Sequence, residues 1–232
     1  MDLSGRTALV TGANRGLGRH LAEQLLKRGA TVYAGARNPA SVDLPGVIPI
    51  ALDVTDPESV AAAARTATGV SIVVNNAGSH TGASVTGGSL EDIRLEMDTH
   101  YFGTLLVARA FAPQLAEHDE SAVLNVLSVL SWTTSPGYSA YAAGKAAAWS
   151  LTNALRVELA DQGTRVSALH VGFMDTDMAH GVDAPKNDPA TVAALALDGL
   201  EKGEPEIVVD DHSRGVRAKL SGGVAAVYPR FA

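Results

Sequence analysis

Short apolar runs alternate with longer amphipathic segments along the whole chain of 232 residues. Most of the short runs lack polar alternation, as expected for strands of a parallel sheet that helices cover on both faces. The segments between them are long enough to form crossover helices. Strands are predicted at 7–11, 31–36, 47–52, 71–75, 122–128, 165–171 and 206–209. The predicted fold class is therefore α/β, with a doubly wound, mostly parallel sheet in a single domain over residues 1–232.

Capping residues mark the predicted helix boundaries. Asp56 and Asp188 each precede a proline, which places a capping carboxylate directly before a residue suited to the first helical position. Gly29 is placed to end the first helix in a left-handed conformation. Ser89 with Asp92 resembles a capping box at the start of a later helix. These signals predict helices between the strands, where a doubly wound sheet requires them.

Two connections, at 78–88 and 175–188, are long for a compact domain. Such loops either cover a functional site or are tolerated surface insertions, and residues from about 172 to 188 are assigned to a substrate loop. The C-terminal segment from about 210 to 232 forms either a flap on the substrate side or a solvated charged tail. The tail is preferred because chain termini are commonly loose.

Composition narrows the class of protein. With 25 acidic and 18 basic residues the formal net charge is −7, and no block of lysine and arginine is present, which argues against nucleic acid as the main partner. The chain has no cysteine, and its seven histidines lack a metal-binding spacing, so no metal is predicted. Neither a signal peptide nor a run of 18 apolar residues is visible. We therefore expect a cytoplasmic protein without a membrane partner.

A glycine-rich turn directly follows the first predicted strand. Its sequence, TGANRGLG at 11–18, places glycines at 12, 16 and 18 and then opens a helix. Glycine permits the tight turn and lets the backbone approach a pyrophosphate, while the helix N-terminus supplies free N–H groups. A turn that has only a structural role and binds no nucleotide would contain the same glycines. The strand before the turn and the helix after it favour a dinucleotide site of the Rossmann type.

The end of the second predicted strand indicates which dinucleotide binds. An acidic residue there normally holds the ribose hydroxyls of NAD, whereas an arginine accommodates the 2′-phosphate of NADP. The strand closes as AGAR at 34–37, without a carboxylate that would repel a phosphate dianion. Arg37 and Arg15 are each able to donate charge-assisted hydrogen bonds to that phosphate. NADP(H) is therefore predicted over NAD(H), unless both arginines are simply solvated surface cations.

A tyrosine and a lysine four residues apart form the candidate reactive pair. Tyr141 and Lys145 begin a predicted helix that continues to about Leu159, so both side chains share one helix face. A free phenol has a pKa of about 10, and a nearby ammonium together with an oxidised nicotinamide ring would lower it towards neutrality. Ser128 stands upstream at the carboxyl end of a predicted strand, where doubly wound sheets bind ligands. Its hydroxyl is able to hold a carbonyl oxygen that the tyrosine protonates.

Together these features resemble the short-chain dehydrogenase/reductase family, in its single-domain branch of about this length. The segments that carry the likeness are TGANRGLG at 11–18, LDV at 51–53, NNAG at 75–78, YAAGK at 141–145, FMDTDM at 173–178 and the spacing from Ser128 to Tyr141. Each segment alone is weak evidence for this family, but the combination over roughly residues 4–180 is specific to it. The resemblance implies a Rossmann fold, a nicotinamide cofactor and oxidoreductase chemistry.

The roles of the family's residues carry over by position. The resemblance implies that Tyr141 is the general acid in reduction, that Lys145 lowers the pKa of Tyr141 and binds the nicotinamide ribose, and that Ser128 orients the substrate carbonyl. Asp53 would contact the adenine, and Thr176 would meet the nicotinamide carboxamide. The predicted cofactor-binding residues are Gly12, Asn14, Arg15, Gly16, Leu17, Gly18, Arg37, Asp53, Val54, Asn76, Ala77, Gly78, Tyr141, Lys145, Gly172 and Thr176.

Two positions depart from the family's usual pattern. His100 stands where the family usually has an asparagine that helps to hold a water in a proton relay, and it is counted with the serine, tyrosine and lysine as a candidate catalytic residue. Its imidazole is able to donate or accept a hydrogen bond and to titrate near neutrality, or it is a helix histidine without a catalytic part. Val171 replaces the usual proline before Gly172. Ser131 competes with Ser128 for the serine role, but the thirteen-residue offset to the tyrosine favours Ser128.

The leading hypothesis is an NADPH-dependent carbonyl reductase, or the corresponding alcohol dehydrogenase, acting on a small or medium uncharged substrate. Its pocket is expected between segments 79–85, 131–138 and 173–182. The bulky side chains that would shape it are Trp132, Tyr138, Phe173 and Met174, whereas Trp149 is expected in the core. A non-catalytic NADPH-binding regulator is one alternative. A lyase or dehalogenase of the same fold is another, although it would leave the glycine-rich turn idle.

The resemblance also implies an assembly. A homodimer or homotetramer would form through the long helices expected around 90–116 and 138–160, whose alanine-rich faces allow close packing. The identity of the substrate, its stereochemistry and the physiological direction of the reaction are not encoded in these residues.

Overall fold

The computed structural model describes residues 1–231 and contains one sheet of seven parallel strands in the order β3-β2-β1-β4-β5-β6-β7. The strands are β1 (Thr7–Thr11), β2 (Thr31–Ala36), β3 (Ile48–Ala51), β4 (Ile72–Asn75), β5 (Ser121–Val126), β6 (Thr164–His170) and β7 (Glu206–Val208). The strand order reverses between β1 and β4, where such a sheet opens a crevice at its carboxyl edge. The predicted doubly wound α/β fold is confirmed.

Eight α-helices accompany the sheet in the described part of the chain. They are α1 (Gly16–Lys27), α2 (Pro57–Thr66), α3 (Leu90–Met97), α4 (Gly103–Leu115), α5 (Ser139–Glu158), α6 (Pro189–Lys202), α7 (Asp211–Lys219) and α8 (Gly223–Val227). Asp56 and Asp188 cap α2 and α6 as predicted, and Gly29 follows α1 with a φ of 83°. Ser89 caps α3 by accepting from the backbone N–H of Glu91 rather than that of Asp92.

The sheet is covered on both faces, which explains why its strands read as apolar throughout. In β1, Ala8 and Val10 pack into one core with α1 and α6, while Leu9 packs into the other with α2, α4 and α5. All three side chains are fully buried. Burial on both faces is the physical reason for the missing polar alternation.

The helix expected around 90–116 is interrupted. A π-helical segment, Asp98–Phe102, separates α3 from α4 and contains the buried side chain of His100. Segments of π-helix are rare in proteins overall, but those that do occur are often at functional sites. Where the segment meets α4, a Cβ atom on Gly103 would lie 2.9 Å from a methyl carbon of Val54, so glycine lets α4 approach the loop after β3.

The C-terminal segment is helical and tied to the sheet edge. Asp210 precedes α7 and accepts hydrogen bonds from the backbone N–H groups of Gly172 and Ser213, each at 2.8 Å. Ser213 is fully buried, and the guanidinium of Arg217 lies 5.7 Å from the centre of the Trp132 ring. Much of α7 is exposed, yet its first turn anchors the loop after β6. Within residues 1–231, no helix combines the length and hydropathy that crossing a bilayer demands.

Candidate active site

The glycine-rich turn lies between β1 and the first turn of α1. Gly12 and Gly16 have φ angles of 65° and 53°, in the left-handed region that favours glycine. A Cβ atom on Gly18 would lie 2.2 Å from the carbonyl oxygen of Gly12 and 2.4 Å from Nδ2 of Asn76. The backbone path therefore requires glycine at all three predicted positions.

The N-terminus of α1 presents free backbone donors beside this turn. Arg15 occupies the N-cap position without a capping hydrogen bond from its side chain, and the first turn contains no acidic residue. The N–H groups of that turn and the helix dipole are available to an anion. Thr176 approaches from the loop after β6, with its methyl carbon 3.5 Å from where a Cβ of Gly16 would be. The turn and the helix terminus thus fit the pyrophosphate of a dinucleotide.

Asn76 connects the loop after β4 to the glycine-rich turn. Its Nδ2 donates to the carbonyl oxygens of Thr11, at 2.9 Å, and Gly12, at 3.2 Å. The hydroxyl of Thr11 in turn accepts from the backbone N–H groups of Asn76 and Ala77, both at 2.9 Å. The side-chain amide of Asn76, one of the predicted cofactor-binding residues, is thus engaged with the protein itself.

The two arginines predicted to select the cofactor lie in different surroundings. Arg37 directly follows β2, is exposed, and forms no side-chain hydrogen bond or ion pair within residues 1–231. Arg15 pairs with Asp177 at 3.1 Å, but both side chains are well exposed, at 65% and 79%. An exposed pair of this kind contributes about 1 kcal/mol at most, so it holds Arg15 only weakly. Arg37 is the cation that stands unengaged at the edge of the sheet.

The other predicted cofactor residues have partners or packing within the protein. The Asp53 carboxylate accepts from the hydroxyl and the backbone N–H of Thr55, at 2.7 and 3.0 Å. Asn14 donates to the hydroxyl of Ser41 at 3.2 Å. Leu17 and Val54 are buried. Asp53 is only half-buried.

Ser128 lies two residues beyond the end of β5, not within the strand as predicted. Its hydroxyl accepts from the backbone N–H of Leu130 at 3.1 Å, and its own N–H donates to the Ser131 hydroxyl at 3.3 Å, which caps a short 3₁₀ turn. On one side the chain still pairs with the neighbouring segment, because the N–H groups of Leu127 and Val129 donate to the carbonyl oxygens of Leu169 and Val171. On the other side the serine hydroxyls take up the backbone N–H groups, which ends the strand early. His170 donates from Nδ1 to the carbonyl oxygen of Ser128 at 3.3 Å and stacks on Trp132. The Ser131 hydroxyl thus holds the backbone N–H of Ser128 in this turn.

Tyr141 and Lys145 lie on the first turns of α5 and face Ser128. Lys145 is buried, donates from Nζ to the carbonyl oxygen of Val126 at 2.7 Å, and sits with Nζ 5.7 Å from the centre of the Tyr141 ring. Burial lowers the pKa of Lys145 to about 8. Burial raises the pKa of Tyr141 above its ordinary value, and the hydrogen bond with Ser128 opposes that rise. Within the protein alone, the phenol is therefore less acidic than the sequence argument expects.

His100 lies behind this pair, edge-on to the Tyr141 ring with the ring centres 5.0 Å apart. Its Nε2 donates to the carbonyl oxygen of Ser79 at 3.0 Å and lies 3.2 Å from a carboxylate oxygen of Glu96. Burial and the nearby Lys145 ammonium lower the pKa of His100 to about 4. The imidazole is therefore neutral at pH 7, and it does not titrate near neutrality as its unperturbed pKa suggests.

An aromatic wall of His80, Tyr138 and Phe173 lies beside Tyr141. His80, from the loop after β4, stacks on Tyr138 with ring centres 4.7 Å apart and meets Tyr141 edge-on at 5.6 Å. Tyr138 also contacts Phe173, at 5.6 Å. These three residues come from the three predicted pocket segments, one from each, and they meet at this point. Trp132 turns instead towards His170, from which it is separated by 3.8 Å between ring centres.

The structure brings the four predicted catalytic side chains, Ser128, Tyr141, Lys145 and His100, to one end of the crevice. Sequence reasoning missed Glu96, whose carboxylate is fully buried beside His100. Its signal is its place four residues before His100 on the same helix face. His80 lies in the predicted pocket segment 79–85, but it is not among the bulky side chains that the sequence singled out. Among residues 1–231, no cluster of three or more His, Cys, Asp or Glu side chains is arranged to hold a metal ion.

Comparisons with known proteins find similar sequences and a similar fold. The family model described as short chain dehydrogenase matches residues 6–187. A 3-oxoacyl-[acyl-carrier-protein] reductase of Vibrio cholerae is 32% identical over 206 residues, covering 84% of this chain and 83% of the relative. A 1-deoxy-11-beta-hydroxypentalenate dehydrogenase of Streptomyces exfoliatus is 34% identical over 214 residues, covering 85% of this chain and 78% of the relative.

A solved structure agrees over nearly the whole chain. The crystal structure of a short chain dehydrogenase from Burkholderia cenocepacia in complex with NADP is 37% identical, with a TM-score of 0.94, and the match covers 99% of this chain and 98% of that one. The similarity thus includes the C-terminal helices as well as the sheet. On the family match, the relatives and this structure, the chain belongs to the short-chain dehydrogenase/reductase family of oxidoreductases.

Proposed function

We propose that this protein is an NADPH-dependent oxidoreductase that transfers a hydride between the nicotinamide and a small or medium uncharged carbonyl or alcohol substrate. The observation that carries the proposal is the convergence of Ser128, Tyr141 and Lys145, with a hydrogen bond between the serine and the tyrosine. The names of the two relatives specify a 3-oxoacyl compound and a hydroxypentalenate as their substrates. One is named as a reductase and the other as a dehydrogenase, so the reaction is proposed without a fixed direction.

Each side chain of the site has a proposed step. The Ser128 hydroxyl, fixed by its place at the start of the 3₁₀ turn, donates a hydrogen bond to the substrate carbonyl oxygen. Tyr141 gives its phenolic proton to that oxygen in reduction and takes it back in oxidation. Lys145 lies beside the ring and stabilises the negative charge on the phenolate. The aromatic wall of His80, Tyr138 and Phe173 excludes water from the reacting atoms.

The cofactor would lie along the carboxyl edge of the sheet. Gly12, Gly16 and Gly18 with the N-terminus of α1 would hold the pyrophosphate, and Thr176 would approach the nicotinamide end. When bound, the nicotinamide supplies or accepts the hydride. NADP(H) is proposed over NAD(H) because Arg37 is unengaged at the end of β2 and no carboxylate stands there. The related Burkholderia cenocepacia protein was crystallised with NADP.

An assembly of two or four copies through α4 and α5 belongs to the same proposal. Phe102 directly precedes α4 and is 48% exposed, and Val157 at the end of α5 is 77% exposed. Large apolar side chains at the surface are favourable at a contact between subunits. Sedimentation of the purified protein over a range of concentrations would test this part separately.

The decisive experiment is a turnover assay. Purified protein is mixed with NADPH and a panel of aldehydes, ketones and diketones, and the absorbance of the reduced nicotinamide is followed, with NADH in parallel. We expect turnover of at least one carbonyl and a higher kcat/KM with NADPH. Tight NADPH binding without turnover of any carbonyl or alcohol would instead identify a regulator. Conversion of a substrate without any change in the nicotinamide would indicate a lyase or dehalogenase.

A further inference from the structure

The carboxylate of Glu96, near the end of α3, is fully buried and yet has no basic side chain as an ion-pair partner within residues 1–231, apart from the neutral His100. The Ser79 hydroxyl donates to it at 2.8 Å and the backbone N–H of Thr81 at 2.5 Å, while Nε2 of His100 lies 3.2 Å away. Burial opposes ionisation, but these hydrogen bonds lower the pKa of Glu96 to about 2. Glu96 therefore carries a full negative charge at neutral pH.

The backbone at Glu96 packs directly against the helix that carries the reactive pair. A Cβ atom on Gly144 of α5 would lie 3.1 Å from the carbonyl oxygen of Glu96 and 3.2 Å from Cδ2 of His100. Glycine at this position lets the end of α3 pack onto the turn of α5 between Tyr141 and Lys145. Nε2 of His100 lies 3.2 Å from the Glu96 carboxylate, and the His100 ring centre lies 5.0 Å from that of Tyr141. One imidazole therefore separates the buried anion from Tyr141, in a region that water does not screen.

The imidazole between them does not cancel the charge. Because Nε2 of His100 faces two acceptors, Glu96 and the carbonyl oxygen of Ser79, it carries the proton, and Nδ1 is left as a buried lone pair without a partner. The other titratable groups that face the pair are Tyr138 and His80 from the substrate side. Among these groups only Glu96 is an anion.

We propose that Glu96 is a positioning residue with two tasks. Its buried negative charge strengthens proton binding by Tyr141 and Lys145, and its two carboxylate oxygens fix the loop after β4 at Ser79 and Thr81. The inference rests on the proposed function of the tyrosine and lysine pair. A negative charge stabilises an ammonium and destabilises a phenolate. Both effects retain protons on the pair, in agreement with the direction in which Glu96 shifts the pKa values of Tyr141 and Lys145.

The first test follows Lys145 directly in the protein without cofactor. The ¹³Cε resonance of Lys145, assigned by its loss in Lys145→Arg, is titrated by NMR in the parent and in Glu96→Gln. We expect the midpoint, about 8 in the parent, to fall by about one pH unit in Glu96→Gln, since the neutral amide no longer favours the ammonium. Glu96→Asp keeps the charge and should remain near the parent. Ser79→Ala removes one loop contact without removing charge and should also leave the midpoint in place.

The second test is the pH profile of turnover. Reduction requires protonated Tyr141, so the rate falls as the pH rises through its pKa, and Glu96→Gln should move this alkaline limb to lower pH. Ser79→Ala should raise KM, because the loop loosens, without moving the limb. The NMR result does not depend on turnover, so failure of the proposed function would not hide it.

An unchanged Lys145 midpoint in folded Glu96→Gln would overturn the inference, as would an equal shift in Ser79→Ala. If Glu96→Gln does not fold, Glu96→Met fills the same space without needing hydrogen bonds, and the same comparison applies to it.

Discussion

The two ends of the crevice are built on different principles. At the nucleotide end, between β1 and α1, recognition comes from backbone geometry: glycines at 12, 16 and 18 and the free N–H groups of a helix terminus. At the reactive end, it comes from buried side chains whose charges depend on one another, Glu96, His100, Tyr141 and Lys145. The first end tolerates little change in shape, whereas the second tolerates little change in charge. Variants at each end should therefore fail in different ways.

The largest effect is expected for Tyr141→Phe at the reactive end. Without the phenolic proton, kcat should fall by roughly 10²- to 10⁴-fold, the usual contribution of general acid and base catalysis. NADPH affinity should remain near that of the parent, because the pyrophosphate site is untouched. Steady-state kinetics and fluorescence titration of NADPH measure the two quantities. Undiminished kcat would remove Tyr141 from the proposed mechanism.

The next effect is expected for Gly18→Ala at the nucleotide end. The added methyl group would meet the Gly12 carbonyl oxygen at 2.2 Å, so the turn must shift, which should cost about 1–3 kcal/mol of the free energy of unfolding. NADPH affinity should fall with it. Gly215→Ala is the matched control, since no atom lies within 4 Å of that Cβ position and α7 should gain slightly from alanine. Urea unfolding of both variants checks the comparison, and equal stabilities would contradict it.

The smallest effect is expected for Arg37→Asp, which changes only the choice of cofactor. A carboxylate at this exposed position repels the 2′-phosphate, so the ratio of kcat/KM for NADPH over NADH should fall about tenfold, with unfolding unchanged. Arg65→Asp places the same charge change on the exposed end of α2 and should leave the ratio alone. If Arg37→Asp behaves like Arg65→Asp, Arg37 has no part in cofactor choice.

The elements most accurately predicted were those with local causes. The bounds of β1 and β2 agree residue for residue with the prediction, because runs of apolar β-forming residues end at glycine or charged positions. The prediction for β5 extended two residues too far, since Ser128 and Ser131 cap a turn that hydropathy does not report. The helix expected at 90–116 contains a π-helical segment for which the pattern gives no signal.

The sequence by itself determined the individual strands, the glycine-rich turn and the shared helix face of Tyr141 and Lys145, because each depends on residues within a few positions of one another. Only the tertiary structure decided the electrostatics of the site. The Glu96 carboxylate accepts hydrogen bonds from Ser79 and Thr81, which lie more than a dozen positions away in the sequence. The pKa of Tyr141 is set mainly by burial and not by the neighbouring lysine. Charge interactions act through space and depend on how much water remains, and neither quantity is written in the spacing of residues along the chain.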